Sequence, residues 1–346
     1  GAVGPPTGLG MMLAAPTIAK NGTADQIERF VKPILNGQHA WCQLFSEPNA
    51  GSDLASIQTS ALADGDEYLV NGQKVWTSGG KIADMGMLIA RTDASKPKHR
   101  GIAYFAFDML QDGVDVRPLT EMTGRAIFNE VFIDDGRVAA MDMIGDDGDG
   151  WRVANDTLMF ERMSLGANPV PLTSCAPGSV ARNLERRVGD LLDRGRSGED
   201  GVPSPNMALW QRLVDRARET GRLDDPLLRR KIVDFWMLAE VNRLTAHRGR
   251  SKGASPATPN ISKLMMSDLF RAGRELGASV LGADAMLHES TGLNSLVQEL
   301  MLFSPGPSIY GGTDQIQRNI IGERALGLPR EPGPEKDTPF SELPKN

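Results

Sequence analysis

One acidic side chain interrupts the apolar face of the helix that the sequence predicts over residues 151–166. Ala154, Leu158, Glu161 and Leu165 are spaced so that they share one face of an α-helix. A carboxylate on such a face is costly unless it has a partner or a function, and one function is general-base catalysis. The spacing alone leaves open the alternative that Glu161 lies at the solvent edge of the face.

A second group of residues lies where a predicted strand gives way to a turn. The run Leu44–Asp53 reads Leu-Phe-Ser-Glu-Pro-Asn-Ala-Gly-Ser-Asp. Pro48 cannot donate to a strand ladder and Gly51 permits a tight turn, so backbone N–H groups and the Ser52 hydroxyl could receive an anionic ligand. An ordinary turn that binds nothing is the alternative.

A tryptophan followed by two hydroxyl residues lies in the run Lys74–Gly80, which reads Lys-Val-Trp-Thr-Ser-Gly-Gly. Trp76 could form an aromatic wall against a planar heterocycle, with Thr77 and Ser78 as hydrogen-bond partners. The alternative is a buried strand tryptophan whose neighbours are satisfied within the protein.

The C-terminal run Tyr310–Arg318 reads Tyr-Gly-Gly-Thr-Asp-Gln-Ile-Gln-Arg and combines two glycines with the start of a helix. Thr313 is the predicted N-cap of a helix from Asp314 to Arg324. The two glycines would let a ligand approach the backbone and the helix N-terminus closely. A plain junction between loop and helix is the alternative.

These three runs, in this order and at these separations, resemble the flavin-contacting segments of the acyl-CoA dehydrogenases. The resemblance extends from about residue 8 to residue 331. It implies an α+β protein of several units: N-terminal helices that are truncated here, a central antiparallel β-barrel and a C-terminal four-helix bundle. It also implies FAD as cofactor, an acyl-CoA substrate, an electron-transfer flavoprotein as electron acceptor, and a homo- or heterotetramer built as a dimer of dimers.

The resemblance assigns roles residue by residue. It implies FAD contacts for Gln43, Leu44, Phe45, Ser46, Gly51, Ser52, Trp76, Thr77, Ser78, Arg218, Gly282, Thr313 and Gln315. It implies contacts with the acyl-CoA for Ser52, Arg162 and Gly312. The segments around Arg218 and Gly282 depart from the family's Arg-x-x-Phe-Gly and Leu-Gly-Gly-x-Gly patterns.

Gly311 stands where most of the family has a catalytic glutamate, and glycine cannot accept a proton. A branch that includes isovaleryl-CoA dehydrogenase carries its base on the earlier helix, directly before an arginine, and Phe160-Glu161-Arg162 matches that pattern. The resemblance therefore implies that Glu161 takes the Cα proton as the acyl-CoA is converted to the 2-enoyl-CoA. A non-catalytic partner subunit of a heteromeric dehydrogenase and an acyl-CoA oxidase are the alternatives.

The composition is that of an ordinary globular protein. The chain has 346 residues and a net charge of -6, which gives no reason to expect binding to nucleic acid. No apolar run reaches the ~18 residues that a membrane-spanning helix needs. Cys42 and Cys175 are too few for a disulfide framework and favour a cytoplasmic protein with reduced thiols. The histidines are far apart in sequence, so we expect no metal site.

The secondary-structure signals change along the chain from helix to strand and back to helix. An Asn-Gly pair at residues 71–72, between two β-rich runs, predicts a hairpin there. We predict four parts: a remnant of an N-terminal helical domain (1–40), a β-barrel domain (41–145), a C-terminal helical bundle (146–331) and a proline-rich tail that should be frayed (332–346).

Overall fold

The computed structural model describes residues 8–167, 205–249, 251–255, 257–287, 292–330, 332 and 337–344. These residues form two compact units that divide between Glu161 and Arg162. Residues 8–161 and the segment 337–344 belong to the N-terminal unit, and the described part of 162–330 forms the C-terminal unit. Cys175 lies outside the described residues. Of the helices in the described ranges, none combines the length and the apolar character needed to cross a membrane.

The N-terminal unit begins with two helical stretches that meet at Gly22. Thr23 starts the second stretch as an N-cap, accepting a hydrogen bond from the Gln26 N–H at 3.2 Å while the Gln26 side chain accepts one from the Thr23 N–H at 3.0 Å. The elements are a π-helical turn (Gly10–Ala14), α1 (Ala15–Asn21), α2 (Ala24–Gln26), a second π-helical turn (Ile27–Val31) and α3 (Lys32–Leu35).

Seven strands follow and form one curled, half-barrel sheet: β1 (Trp41–Leu44), β2 (Ser60–Asp64), β3 (Glu67–Ser78), β4 (Met85–Arg91), β5 (Ile102–Asp108), β6 (Val114–Leu119) and β7 (Phe128–Ala139). β2, β3, β7 and β6 are joined in antiparallel pairs, and β5 is antiparallel to β4. β1 lies parallel to β4, with Trp41 opposite Met85. The prediction of an antiparallel barrel is therefore wrong on this point. The chain reverses between β2 and β3 and again before β4, so β4 runs in the direction of both β2 and β1.

The predicted hairpin at residues 71–72 is also wrong. The turn between β2 and β3 lies at Gly65, whose φ is 66°, where Asp64 pairs with Glu67. Gly72 instead lies inside β3, next to a β-bulge. A Cβ added at Gly72 would lie 2.5 Å from Thr59 Oγ1, so glycine is required there for close approach rather than for chain reversal.

Side chains alternate between the two faces of a strand, and β4 and β5 are buried on both faces because a separate core packs on each. Trp41 and Phe45 face a core shared with the N-terminal helices and the start of α4 (Gly150–Ala167). Cys42 and Leu44 face the core inside the curl of the sheet. Burial raises the pKa of the Cys42 thiol to about 12, so this thiol is protonated and unreactive at neutral pH.

The described helices of the C-terminal unit are α5 (Pro205–Glu219), α6 (Pro226–Gly249), α7 (Thr258–Leu281), α8 (Gly292–Phe303) and α9 (Asp314–Ala325). Leu213, Phe235, Leu276 and Val297 contribute one buried residue each from α5, α6, α7 and α8 to a common core. A four-helix bundle and a truncated N-terminus stay predictions.

The described part of the tail is anchored, contrary to expectation. Pro339 forms an isolated bridge with Pro97, and the Phe340 N–H donates to the Lys96 carbonyl at 3.0 Å. The Phe340 ring lies against the Arg91 guanidinium, with 3.5 Å between Cζ and the ring centroid. This segment therefore belongs to the fold of the N-terminal unit.

Candidate functional site

The loop after β1 is shaped by a tight turn. The Glu47 N–H donates to the Ala50 carbonyl at 3.1 Å, and the Ala50 N–H donates to the Glu47 carbonyl at 3.0 Å. Proline and asparagine, which favour the central positions of such turns, occupy Pro48 and Asn49. A Cβ added at Gly51 would meet no atom within 4 Å, so the folded chain does not require glycine at that position.

A buried ion pair joins this loop to β3. Lys74 is fully buried, and its Nζ donates to Glu47 Oε1 at 2.8 Å and to the Phe45 carbonyl at 3.1 Å. The Glu47 carboxylate also accepts the N–H groups of Gln58 and Thr59, at 2.6 and 2.9 Å. Burial alone would raise the pKa of Glu47, but the Lys74 ammonium and these hydrogen bonds outweigh it and hold the pKa below its ordinary value.

Arg91 holds the far end of the same loop. Its guanidinium donates to the carbonyls of Ala55 and Ile57, at 2.6 and 3.1 Å, and burial lowers its pKa to about 10. The positional roles of Lys74 and Arg91 were missed in the sequence, where the only available signal was a charged residue inside an otherwise strand-like run. Both cations donate to backbone carbonyls that are distant from them in sequence, and patterns of neighbouring residues do not indicate such contacts.

Trp76 lies on a bulge beside this loop in a strained backbone conformation. The Val75 N–H donates to the Ser46 carbonyl at 2.9 Å, which joins the first two motifs directly. The register of β3 against β7 shifts between Lys74 and Thr77, and Trp76 has a φ of 62°. Its indole is 62% exposed and meets Phe128 edge-on, with 6.0 Å between centroids. Such strain in a large residue indicates a functional constraint.

The other predicted FAD-binding residues of the N-terminal unit differ in solvent exposure. Leu44 and Phe45 are buried in the cores, so only their backbone could face a ligand. Thr77 is also buried, and its Oγ1 has no hydrogen-bond partner within the described part of the chain. Gln43, Ser46 and Ser78 are half-buried, and Gly51 and Ser52 are exposed.

Glu161 is half-buried in α4 and meets the sheet through Gln43, whose Nε2 lies 3.5 Å from Glu161 Oε2. One turn earlier, the buried Thr157 hydroxyl lies 3.0 Å from that of Thr17 and 3.3 Å from that of Tyr104. Ala154 is also buried, as the helical stripe predicts, whereas the side chain of Leu165 lies outside the described residues. Half-burial is compatible with both alternatives for Glu161, so its role stays a prediction.

The C-terminal unit carries the remaining predicted residues. Gly311 and Gly312 have φ values of 63° and 80°, and Thr313 is the N-cap of α9, accepting from the Ile316 N–H at 3.2 Å. Gln317 Nε2 donates to the Gly311 carbonyl at 2.6 Å and fixes this loop on its helix. Gln315 in the first turn is exposed.

Two predicted FAD contacts lie elsewhere in the C-terminal unit. Arg218, near the end of α5, donates to Asp215 Oδ1 at 2.8 Å. Gly282 follows α7 with a φ of 61°, and a Cβ there would lie 3.2 Å from Arg222 Nη1. The described residues contain no cluster of three or more His, Cys, Asp or Glu side chains suited to a metal ion.

Two family models match the chain: "Acyl-CoA dehydrogenase, middle domain" over residues 42–135 and "Acyl-CoA dehydrogenase, C-terminal domain" over residues 207–326. The acyl-CoA dehydrogenase IpdE1 of Mycobacterium tuberculosis is 38% identical over 326 residues, which cover 93% of this chain and 75% of IpdE1. The chain belongs to the acyl-CoA dehydrogenase family. This finding confirms the family that the motifs indicated, and its members are flavoprotein oxidoreductases.

A second relative and a solved structure are also similar over most of the chain. The acyl-CoA dehydrogenase FadE34 of Mycobacterium tuberculosis is 37% identical over 318 residues, which cover 92% of this chain and 39% of FadE34. The crystal structure of the ChsE4–ChsE5 complex from the same organism superposes with a TM-score of 0.76 at 29% identity, covering 94% of this chain and 78% of the matched chain. The roles of individual residues stay predictions.

Proposed function

We propose that this protein is an FAD-dependent acyl-CoA dehydrogenase in which Glu161 is the catalytic base. The observation that carries the proposal is the placement of Glu161, a half-buried carboxylate on the core side of α4 within 3.5 Å of Gln43 at the end of β1. A second observation is that glycine, not glutamate, follows Tyr310, so Gly311 supplies no carboxylate at the position where most of the family has its base. A non-catalytic partner subunit would not need this arrangement.

The residues around Trp76 fit the isoalloxazine of FAD. The exposed indole offers an aromatic face, and the half-buried Ser46 and Ser78 lie on the two segments that the Val75–Ser46 hydrogen bond joins. The Thr77 hydroxyl is buried and has no hydrogen-bond partner in the described part of the chain. Because buried polar groups are usually hydrogen-bonded, a polar group of a bound ligand could be its partner. FAD, when bound, would accept the hydride that leaves Cβ of the acyl group.

Glu161 would remove the proton from Cα, and the electrons of that C–H bond would form the Cα–Cβ double bond. The thioester carbonyl must be polarised to acidify Cα, and a backbone N–H near the Gly311 position would be its donor. Gly312 is a predicted contact of the acyl-CoA. Ser52 and Arg162 are the predicted contacts with the remainder of the acyl-CoA. An electron-transfer flavoprotein is the proposed acceptor of the electrons, and a tetramer of like or unlike subunits is the proposed assembly.

The proposed function is tested by the colour of the purified full-length protein. We expect flavin absorbance near one FAD per subunit, and anaerobic bleaching when an acyl-CoA thioester is added. A panel of straight, branched and ring-bearing acyl-CoA thioesters, read with an artificial electron acceptor, would identify the acyl group. The proposal would be contradicted if the protein contained flavin and bound an acyl-CoA with a hydrogen on Cα, but no member of the panel bleached the flavin.

Trp76→Gly should leave folding stability nearly unchanged but weaken FAD binding. Glycine relieves a left-handed conformation that costs other residues about 1–2 kcal/mol, which offsets the flexibility that glycine adds to the unfolded chain. We therefore expect the free energy of unfolding in urea to change by less than about 1 kcal/mol, because the indole is 62% exposed.

Trp76→Ala is the matched control, since it removes the indole but keeps the strain. It should be less stable than Trp76→Gly by roughly 1 kcal/mol and should lose as much flavin. If both variants retained FAD as tightly as the parent, Trp76 would not contact the cofactor.

A further inference from the structure

Gln43 is a polar residue on a face of β1 that is otherwise apolar. Its neighbours on that face, Trp41 and Phe45, are 5% and 3% exposed and pack in the core shared with α4. Because side chains alternate along a strand, Gln43 faces the same helix. Burying the Gln43 amide at this position costs more desolvation free energy than burying an apolar side chain would. The Glu161 carboxylate is the hydrogen-bond partner of the amide there.

The helix that carries Glu161 is held rigidly on this face. Val153 and Ala154 are fully buried against the sheet, and the Thr157 hydroxyl joins those of Thr17 and Tyr104. Glu161 follows Thr157 by four residues and so projects from the same side of α4. The backbone of Glu161 is thus fixed by packing, and the direction of its flexible side chain depends on what contacts the carboxylate.

We propose that Gln43 is a positioning residue that fixes the orientation of the Glu161 carboxylate for proton abstraction. This inference rests on the proposed function of Glu161. The Gln43 amide donates an N–H to Oε2, and holding one oxygen sets the plane of the carboxylate and the direction of the other oxygen. A glutamine amide does not titrate, so it orients the base without competing for the proton. The 3.5 Å separation is long, as such contacts are before a substrate closes the site.

The test is Gln43→Leu, with Gln43→Asn as a second variant that keeps the amide but shortens its reach. We expect anaerobic flavin reduction, measured per bound FAD and at saturating acyl-CoA, to slow roughly 10- to 100-fold, as for a misplaced catalytic group. The α-deuterium isotope effect should increase in both variants. A readout independent of turnover is the infrared carboxylate band of ¹³C-glutamate-labelled protein, assigned to Glu161 by its loss in Glu161→Gln.

Gln211→Leu is the matched control, because Gln211 on α5 donates to the carboxylate of Asp215 at 3.0 Å in the C-terminal unit. It should change neither the reduction rate nor the assigned band. The double variant Gln43→Leu/Glu161→Gln should reduce flavin no more slowly than Glu161→Gln alone, since Gln43 acts through Glu161.

Two results would overturn the inference: an unchanged rate and an unchanged carboxylate band in Gln43→Leu, or losses that multiply in the double variant. A failure of the proposed function is recognised separately. It would appear as rapid flavin reduction by Glu161→Gln, whatever the Gln43 variants do.

Discussion

Glu161→Gln should lower the rate of anaerobic flavin reduction by acyl-CoA by at least ~10²–10⁴-fold, the usual contribution of general-base catalysis. Glutamine keeps the shape of the side chain and can still pair with Gln43, which lies 3.5 Å away, but it cannot accept a proton. Flavin content and acyl-CoA binding should therefore remain close to those of the parent. Stopped-flow absorbance of the flavin, with ligand binding measured separately, gives the two quantities.

Glu28→Gln is a suitable control for this variant. Glu28 is an exposed residue that pairs with Lys32 on a helix surface, so its neutralisation should leave flavin reduction unchanged. Flavin reduction at close to the parent rate in Glu161→Gln would remove Glu161 from the role of base. Adding Gly311→Glu is not an equivalent rescue test, because Gly311 has a φ of 63° and a glutamate would be strained there by about 1–2 kcal/mol.

Features set by neighbouring residues could be predicted from the sequence. The Thr313 cap and the start of α9 at Asp314 follow from side-chain hydrogen bonding within one turn, and the structure confirms both. The helical stripe that includes Ala154 depends only on a period of 3.6 residues, and the burial of Ala154 agrees with it. The family could also be recognised from the sequence, since its motifs are short runs of residues in a fixed order.

Features set by distant pairing could not be predicted. The parallel alignment of β1 with β4 depends on the path of the chain between them, and no local pattern specifies it. Gly72 was interpreted as a turn residue although the constraint on it is Thr59, on a neighbouring segment. Gln43 and Glu161 are 118 residues apart, so their contact had no signal in either motif.

Lys74→Met should destabilise the N-terminal unit by about 3–5 kcal/mol, the cost of breaking a buried ion pair by removing one partner. Methionine keeps the length and apolar stem of lysine but removes the ammonium that pairs with Glu47 at 2.8 Å. Glu47 is only 8% exposed, so the variant would leave a buried carboxylate without its cation. Urea unfolding followed by tryptophan fluorescence measures the loss.

Two controls separate this effect from loss of a charge in general. Lys98→Met removes the partner of Asp53, which lies on the same loop as Glu47, in a pair whose side chains are 25% and 48% exposed, and it should cost less than about 1 kcal/mol. Lys74→Met/Glu47→Gln removes both charges and should recover part of the loss. If Lys74→Met were no more destabilising than Lys98→Met, the buried pair would not be what holds the loop.

The pH dependence of the Lys74→Met effect has a definite sign. In the parent, the pKa of Glu47 is held below its ordinary value, so its stabilising contribution is present above the unfolded-state pKa of about 4.3 and is lost as the pH falls through the lower folded-state pKa. Without Lys74, burial is the main influence and raises the folded-state pKa above the unfolded value, so protonation at acid pH relieves the buried charge. The difference in unfolding free energy between parent and variant should therefore shrink as the pH is lowered from 7 towards about 4. A difference that stayed constant over this range would mean that the stability lost with Lys74 comes from packing and the Phe45 hydrogen bond rather than from the charge on Glu47.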